Sequence, residues 1–205
     1  MHSIDLAPAA KSLLAVALCG YIFFLLVISI FASRRVETEA DYLVAGRRLP
    51  LTLAWGTLIA TWFGAATMFA AAAAVREEGL LGVVLDPFAC AGTLILAGVF
   101  FARPLWNRNI FTMADFYRQT YGPVAELTGG LIQVPSYFAW IALQYSALAG
   151  LLELYFAIPF PVGLFIVASI TLAYTLIGGM WSVTLTDSFQ ILVAIVGLII
   201  LTSAA

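Results

Sequence analysis

"LIATWFGAATMFAAAAAV", residues 58–75, has the length and apolarity of a membrane-crossing helix, yet its middle is not built for lipid alone. Thr61, Gly64 and Thr67 interrupt the run, and Thr57 stands just upstream. Together they follow at i, i+4, i+7 and i+10, one stripe of a helix. Two readings compete. In the first, small residues let two helices approach closely, and the threonines bond to carbonyls four residues back on their own helix. In the second, the helix unwinds near Gly64 and frees carbonyls for a hard cation such as Na+. Within hydrocarbon, irregular backbone survives only against protein or a water-filled cavity. Spacing alone, with the alanine run 70–74 behind it, favours the first.

The rest of the chain is equally apolar: 63% of its 205 residues are hydrophobic and 10% are charged. A soluble domain of this size cannot bury so much apolar surface, which makes the lipid bilayer its solvent. Six apolar segments stand out, at about 12–32, 51–75, 80–102, 122–153, 159–178 and 184–205. Each reaches the roughly 20 residues that cross a hydrocarbon core. The fourth is long enough for a strong tilt or a kink at Pro135. The first ends in "ASRRVE", and basic residues after the apolar run mark a retained span, the reverse of a signal peptide.

Basic residues set the orientation. With the N-terminus outside, the inner connections are 33–50, 103–121 and 179–183. They carry Arg34, Arg35, Arg47, Arg48, Arg103, Arg108 and Arg118, leaving Lys11 and Arg76 elsewhere. This is the positive-inside pattern, and the chain is expected to be multi-pass with its N-terminus out. The connection 103–121 holds a Thr112-x-x-Asp115 cap and a Gly122-Pro123 stop, predicting a short amphipathic helix at the inner face with Phe116 and Tyr117 near the headgroups. Short loops without glycosylation sequons fit a bacterial inner membrane. The close, "IILTSAA", lies in the sixth span with no polar tail, and a fragment of a longer chain is expected.

Several function classes drop out. A net charge of −2 and no basic block argue against nucleic acid. Cys19 and Cys90 lie in apolar runs and read as buried thiols, and His2 stands alone at the terminus. No metal set, nucleophile elbow, phosphate loop or carboxylate pair is present, and the chain is not expected to be an enzyme or to hold a cofactor.

Other polar positions within the spans remain as candidates. In "YTLIGGMWSVTLTDSFQ", residues 174–190, Gly178-Gly179 ends one span and Asp187 opens the next among Thr184, Thr186 and Ser188. Asp187 either offsets a helix dipole or serves as a waypoint for a cation leaving inward. Asp86-Pro87, with Glu77 and Glu78 before it, makes an acidic outer patch or a solvated loop. In the fourth span Tyr137 and Gln144 either line a substrate cavity or bond across helices.

Three stretches together resemble the sodium:solute symporter family. "DYLVAGRRLPLTLAWGTLIATWFGAATM" (41–68) is similar to its second-helix region, with a tyrosine-to-Gly-Arg lead-in before a broken helix. "FTMADFYRQTYGP" (111–123) is similar to an inner segment, and residues 174–190 match its Tyr, Gly-Gly, Thr-Asp and Gln positions. The resemblance runs from about residue 12 to 205. It implies an all-α, leucine-transporter-type fold of six transmembrane helices: a leading helix, 12–32, and the first five-helix inverted repeat, 51–205, in one transmembrane domain. A second repeat of the same protein would be missing.

The implied function is sodium-coupled symport of a small solute by alternating access. Na+ would be bound by backbone carbonyls of Ala60 and Phe63, a partial site, with Thr61, Gly64 and Thr67 at the helix break and Asp187 on the sodium exit. The pattern departs from the proline carriers, which have an aspartate where this chain has Trp62 and a serine at Gly64; that argues against proline as solute. One rival is the symporter-like input domain of a sensor histidine kinase. Another is an accessory membrane protein complete at 205 residues.

Overall fold

The computed structural model describes residues 7–204, without the side chains of residues 65, 66, 86, 87 and 204. His2 and the side chain of Asp86 thus lie outside the described residues. Among those residues every regular element is helical. Eight α-helices follow in order: α1 Pro8–Ser33, α2 Glu39–Val44, α3 Leu51–Trp62, α4 Ala65–Glu78, α5 Cys90–Asn107, α6 Met113–Tyr121, α7 Pro123–Phe156 and α8 Phe160–Ala204. Four of them are long and apolar enough to cross a membrane, or five spans if α3 and α4 count as one broken helix.

Burial is inverted relative to a soluble protein. Large apolar side chains face outward along the long helices, as Phe23 (69% exposed), Val99 (71%) and Phe138 (68%) illustrate. The largest fully buried side chains are hydroxyls: Ser29, Ser182, Thr184 and Thr186. Lipid is as apolar as leucine, so apolar faces gain nothing by leaving it, and small and polar residues bring the helices together. Cys19, expected to be buried, is exposed on α1, and Cys90 is half-buried; both are free thiols.

The chain forms two compact bodies, one of residues up to Gly64 and from Tyr145 onward, the other of Ala65–Gln144. In the first, α1 lies along α8. Ser29 and Ser182 hydroxyls meet at 2.5 Å, Gln190 Nε2 donates to Tyr21 Oη at 2.5 Å, and the Phe24 and Phe189 rings sit 4.6 Å apart. Positions descend on α1 as they rise on α8, so residues after Gly179 run antiparallel to α1. Ile166, Ile170 and Tyr174, before the glycine, line a cavity with Leu14, Leu18 and Tyr21 of the same helix. A straight rod of 45 residues, about 68 Å long, cannot make both sets of contacts. The chain folds back at Gly179, where φ is 53° and ψ −144°.

This corrects two boundaries. Residues 180–183 are helical rather than a polar connection, because one glycine in the left-handed half of the backbone map accomplishes the reversal. The third apolar segment enters as a 310 segment, Gly79–Val83, and a π segment, Val84–Ala89, before α5 begins. Pro87 contributes no N–H to a regular ladder there.

In the second body, a Cβ at Gly82 would lie 2.7 Å from the Ala74 carbonyl oxygen, so the 310 segment after α4 turns back closely onto that helix's last turns. α6 forms as expected. Thr112 accepts from the Asp115 N–H at 3.2 Å, Asp115 accepts from the Thr112 N–H at 2.8 Å, and Gly122 at φ 91° ends the helix. The Phe111 and Thr112 amides hold the Asp115 carboxyl below its usual value, the Thr112 amide most. α7 continues through Pro135 as one helix of 34 residues. Its end is an αL C-cap: Ala157 takes φ 57°, and its N–H reaches Glu153 O at 3.0 Å.

Candidate functional site

The segment between α1 and α3 is a tight knot. Thr38 caps α2, and Asp41, 3% exposed, accepts from Thr38 N at 3.1 Å, Thr38 Oγ1 at 2.8 Å and Arg48 Nη2 at 2.6 Å. The Thr38 hydroxyl, then the Arg48 guanidinium, hold the Asp41 carboxyl below its usual value. The Thr-x-x-Asp pattern recognised at 112–115 occurs here too, at 38–41, and was the available signal for this knot. Next to it Tyr42 lies on the fold-back. Its hydroxyl donates weakly to the carbonyls of Thr175 (3.5 Å) and Leu176 (3.4 Å). The regular partners of those carbonyls are the N–H groups of residues 179 and 180, at the non-helical glycine.

Beyond this knot α3 meets the second limb of α8. A Cβ on Gly56 would lie 2.7 Å from Ser188 Oγ and 3.2 Å from Ser188 Cα, so the two backbones are in contact. Beside that contact Thr57 Oγ1 donates to Oδ2 of Asp187. Asp187 is half-buried, and a carboxylate among apolar helices needs such a donor. Ser188 Oγ donates to Thr184 O at 2.8 Å, and Thr186 Oγ1 to Ser182 O at 3.0 Å. Thr184 Oγ1 is buried with no hydrogen-bond partner among the described residues.

Thr57 is held at its other end as well, since Thr61 Oγ1 donates to the Thr57 carbonyl at 2.8 Å. Thr61 therefore behaves as an ordinary membrane threonine, bonding back along its own helix. α3 stops at Trp62. The Phe63 N–H still reaches Ile59 O at 2.8 Å, and then Phe63 turns to φ −86°, ψ 63°, close to an inverse γ-turn. Residues 63 and 64 are non-helical, and α4 begins at Ala65. The helical ladder of α3 ends there, so the carbonyls of Ala60 and Phe63 belong to its C-terminal end. Thr67 sits in the first turn of α4, the half-buried Gly64 in the interruption itself.

The large cavity of the first body, about 730 Å³, lies between α1, the end of α7 and both limbs of α8. Its walls are mainly aliphatic, with Tyr21, Tyr174 and Gln190 among its polar members. Tyr137 and Gln144 are not among its lining residues. Tyr137 is 58% exposed, and its hydroxyl accepts from Gln133 Nε2 at 3.2 Å within α7.

The helices and their inverted burial define a multi-pass helical membrane protein with an interrupted helix. The sodium:solute symporter family matches residues 42–205. The chain belongs to that family. It is 31% identical over 194 residues to the high affinity choline transporter 1 of Homo sapiens, covering 89% of this chain and 33% of that protein. It is 35% identical over 167 residues to the high-affinity choline transporter 1 of Torpedo marmorata, covering 80% and 28%. It is 26% identical over 187 residues to the sodium/proline symporter of Haemophilus influenzae, covering 88% and 37%. The chain thus spans about a third of the length of these relatives. No solved structure matches it.

Proposed function

We propose that this chain is the N-terminal part of a sodium-coupled symporter for a small organic cation of the choline type. One observation carries the reading: in a chain of this family, the helical run is interrupted at residues 63–64, leaving the carbonyls of Ala60 and Phe63 at the end of α3. Na+ is a hard cation that takes oxygen ligands, and these two carbonyls supply part of its shell. Further ligands come from a second five-helix repeat elsewhere in the same protein. Asp187 is the point past which Na+ leaves inward.

The architecture that goes with this reading has six spans: a leading helix, α1, and five more, with α3–α4 one broken span and α8 two spans folded at Gly179. The N-terminus is outside and the protein sits in the inner membrane. The choline class rests on the choline-transporter relatives and on Trp62, which ends α3 at the interruption where proline carriers have an acid. A quaternary ammonium is recognised by aromatic faces, indole best of all.

The test is uptake of labelled choline into proteoliposomes holding the full-length protein, with an inward Na+ gradient, a K+ gradient as control and proline as competitor. Uptake that needs Na+ and ignores proline supports the reading. Sodium-independent choline uptake defeats the coupling, and sodium-driven proline uptake defeats the solute class.

A further inference from the structure

We infer that the Thr57 hydroxyl tunes Asp187 as a weak, releasing cation waypoint by occupying part of its carboxylate. The inference rests on the proposed sodium route, and it adds to it a positioning residue on a different helix. Three observations converge. Thr57 donates to Asp187 Oδ2. The donor cannot drift away from the acceptor, because Gly56 and Ser188 bring the two backbones into contact one residue along on each helix. Thr57 is also fixed along its own helix, its carbonyl accepting from Thr61 one turn before the interruption.

A carboxylate engaged by a fixed hydroxyl dipole has less negative potential left for a cation than a bare one. Passage through a membrane protein demands such weakness, since a waypoint must attract an ion yet let it go. Without the hydroxyl, Asp187 has one donor fewer, and a cation takes its place and stays. The expected signature is therefore tighter sodium binding together with slower turnover. A merely structural hydrogen bond does not give that combination, since its loss lowers the amount of folded protein without tightening sodium binding.

The experiment uses the full-length protein with Thr57→Val, Thr57→Ser, Asp187→Asn and the Thr57→Val/Asp187→Asn pair; Thr57→Ala replaces the valine variant if that fails to accumulate. Two readouts are taken: Na+ half-saturation and maximal rate of uptake, and Na+-dependent thermal stabilisation without solute. Thr57→Val should lower the half-saturating Na+ about tenfold, the size of one hydrogen bond to a charged group, and slow uptake several-fold. Thr57→Ser should restore both values, and the valine change should have no effect on half-saturation in the Asp187→Asn background. A half-saturation that is unchanged or raised in Thr57→Val overturns the inference, as does a valine effect that persists without the carboxylate. If Na+ stabilises the wild type but choline is not transported, the proposed solute fails while the thermal readout still decides the role of Thr57. If Na+ does not stabilise the wild type, the inference is overturned.

Discussion

The Thr57 hydroxyl is hydrogen-bonded to the Asp187 carboxylate across 130 positions of sequence. Each residue stands out alone, one as the start of a hydroxyl stripe, the other as an acid within an apolar stretch. Their pairing ties α3, the helix that ends at the interruption, to α8, the helix that folds back at Gly179. The same two helices also touch through Gly56 and Ser188, one residue along on each, so the hydrogen bond sits beside a direct backbone contact.

Gly179→Ala should be the most damaging single change at the fold-back. A non-glycine residue held at φ +53°, ψ −144° costs on the order of 1–3 kcal/mol, and its Cβ would lie 2.6 Å from the Tyr42 carbonyl oxygen. Gly197→Ala, with nothing within 4 Å of its Cβ, is the matched control and should be neutral. Detergent-induced unfolding followed by tryptophan fluorescence measures both; equal stabilities would show that the fold-back tolerates a side chain.

The buried Ser29–Ser182 pair should behave as a coupled unit. Such bonds average about 0.6 kcal/mol in a membrane protein and reach about 1.7, so each serine-to-alanine change should cost on the order of 1 kcal/mol. The double variant should cost less than the sum, since neither hydroxyl is then left unsatisfied. A strictly additive cycle would mean that the two hydroxyls do not interact.

Asp41 gives a pH dependence with a definite sign. Its folded carboxyl is held below the usual 3.8, so the unfolded chain takes up the proton first as pH falls. The stability it contributes is complete above the usual aspartate range and is lost as pH drops through the depressed folded value. Asp41→Asn should be less stable than wild type at pH 7 and flatter between that range and more acid pH. Parallel pH profiles for the two proteins would remove Asp41 from the account.

Trp62 tests the solute class. A cation over an indole contributes about 0.5–2 kcal/mol, so Trp62→Ala should raise the KM for choline between about twofold and thirtyfold in the full-length protein. Trp62→Phe should keep most of the affinity. If the alanine variant matches wild type, the indole does not face the solute.

Local features were legible along the chain. The Thr112-x-x-Asp115 cap and the Gly122-Pro123 stop bound α6 where expected, because capping depends on residues three positions apart. The interruption falls between Thr61 and Thr67, within the hydroxyl and glycine stripe, though Thr61 itself bonds back within α3. The reversal between 159–178 and 184–205 was placed a few residues too wide. Polarity suggested a loop at 179–183, whereas one glycine turns the chain and Met180 onward is already helical.

By itself, the sequence determined the solvent of this protein, its apolar runs, its caps and its glycine punctuation. These follow from composition and from contacts a turn or less apart, where residue type biases φ and ψ directly. Only the tertiary structure decided that Thr57 meets Asp187, that Ser29 meets Ser182 and that Tyr42 lies on Gly179. In lipid an aliphatic face is equally at ease against hydrocarbon or another helix, so periodicity marks no preferred partner. The choice falls to a few small and polar residues, and which of them meet depends on how the whole chain folds back on itself.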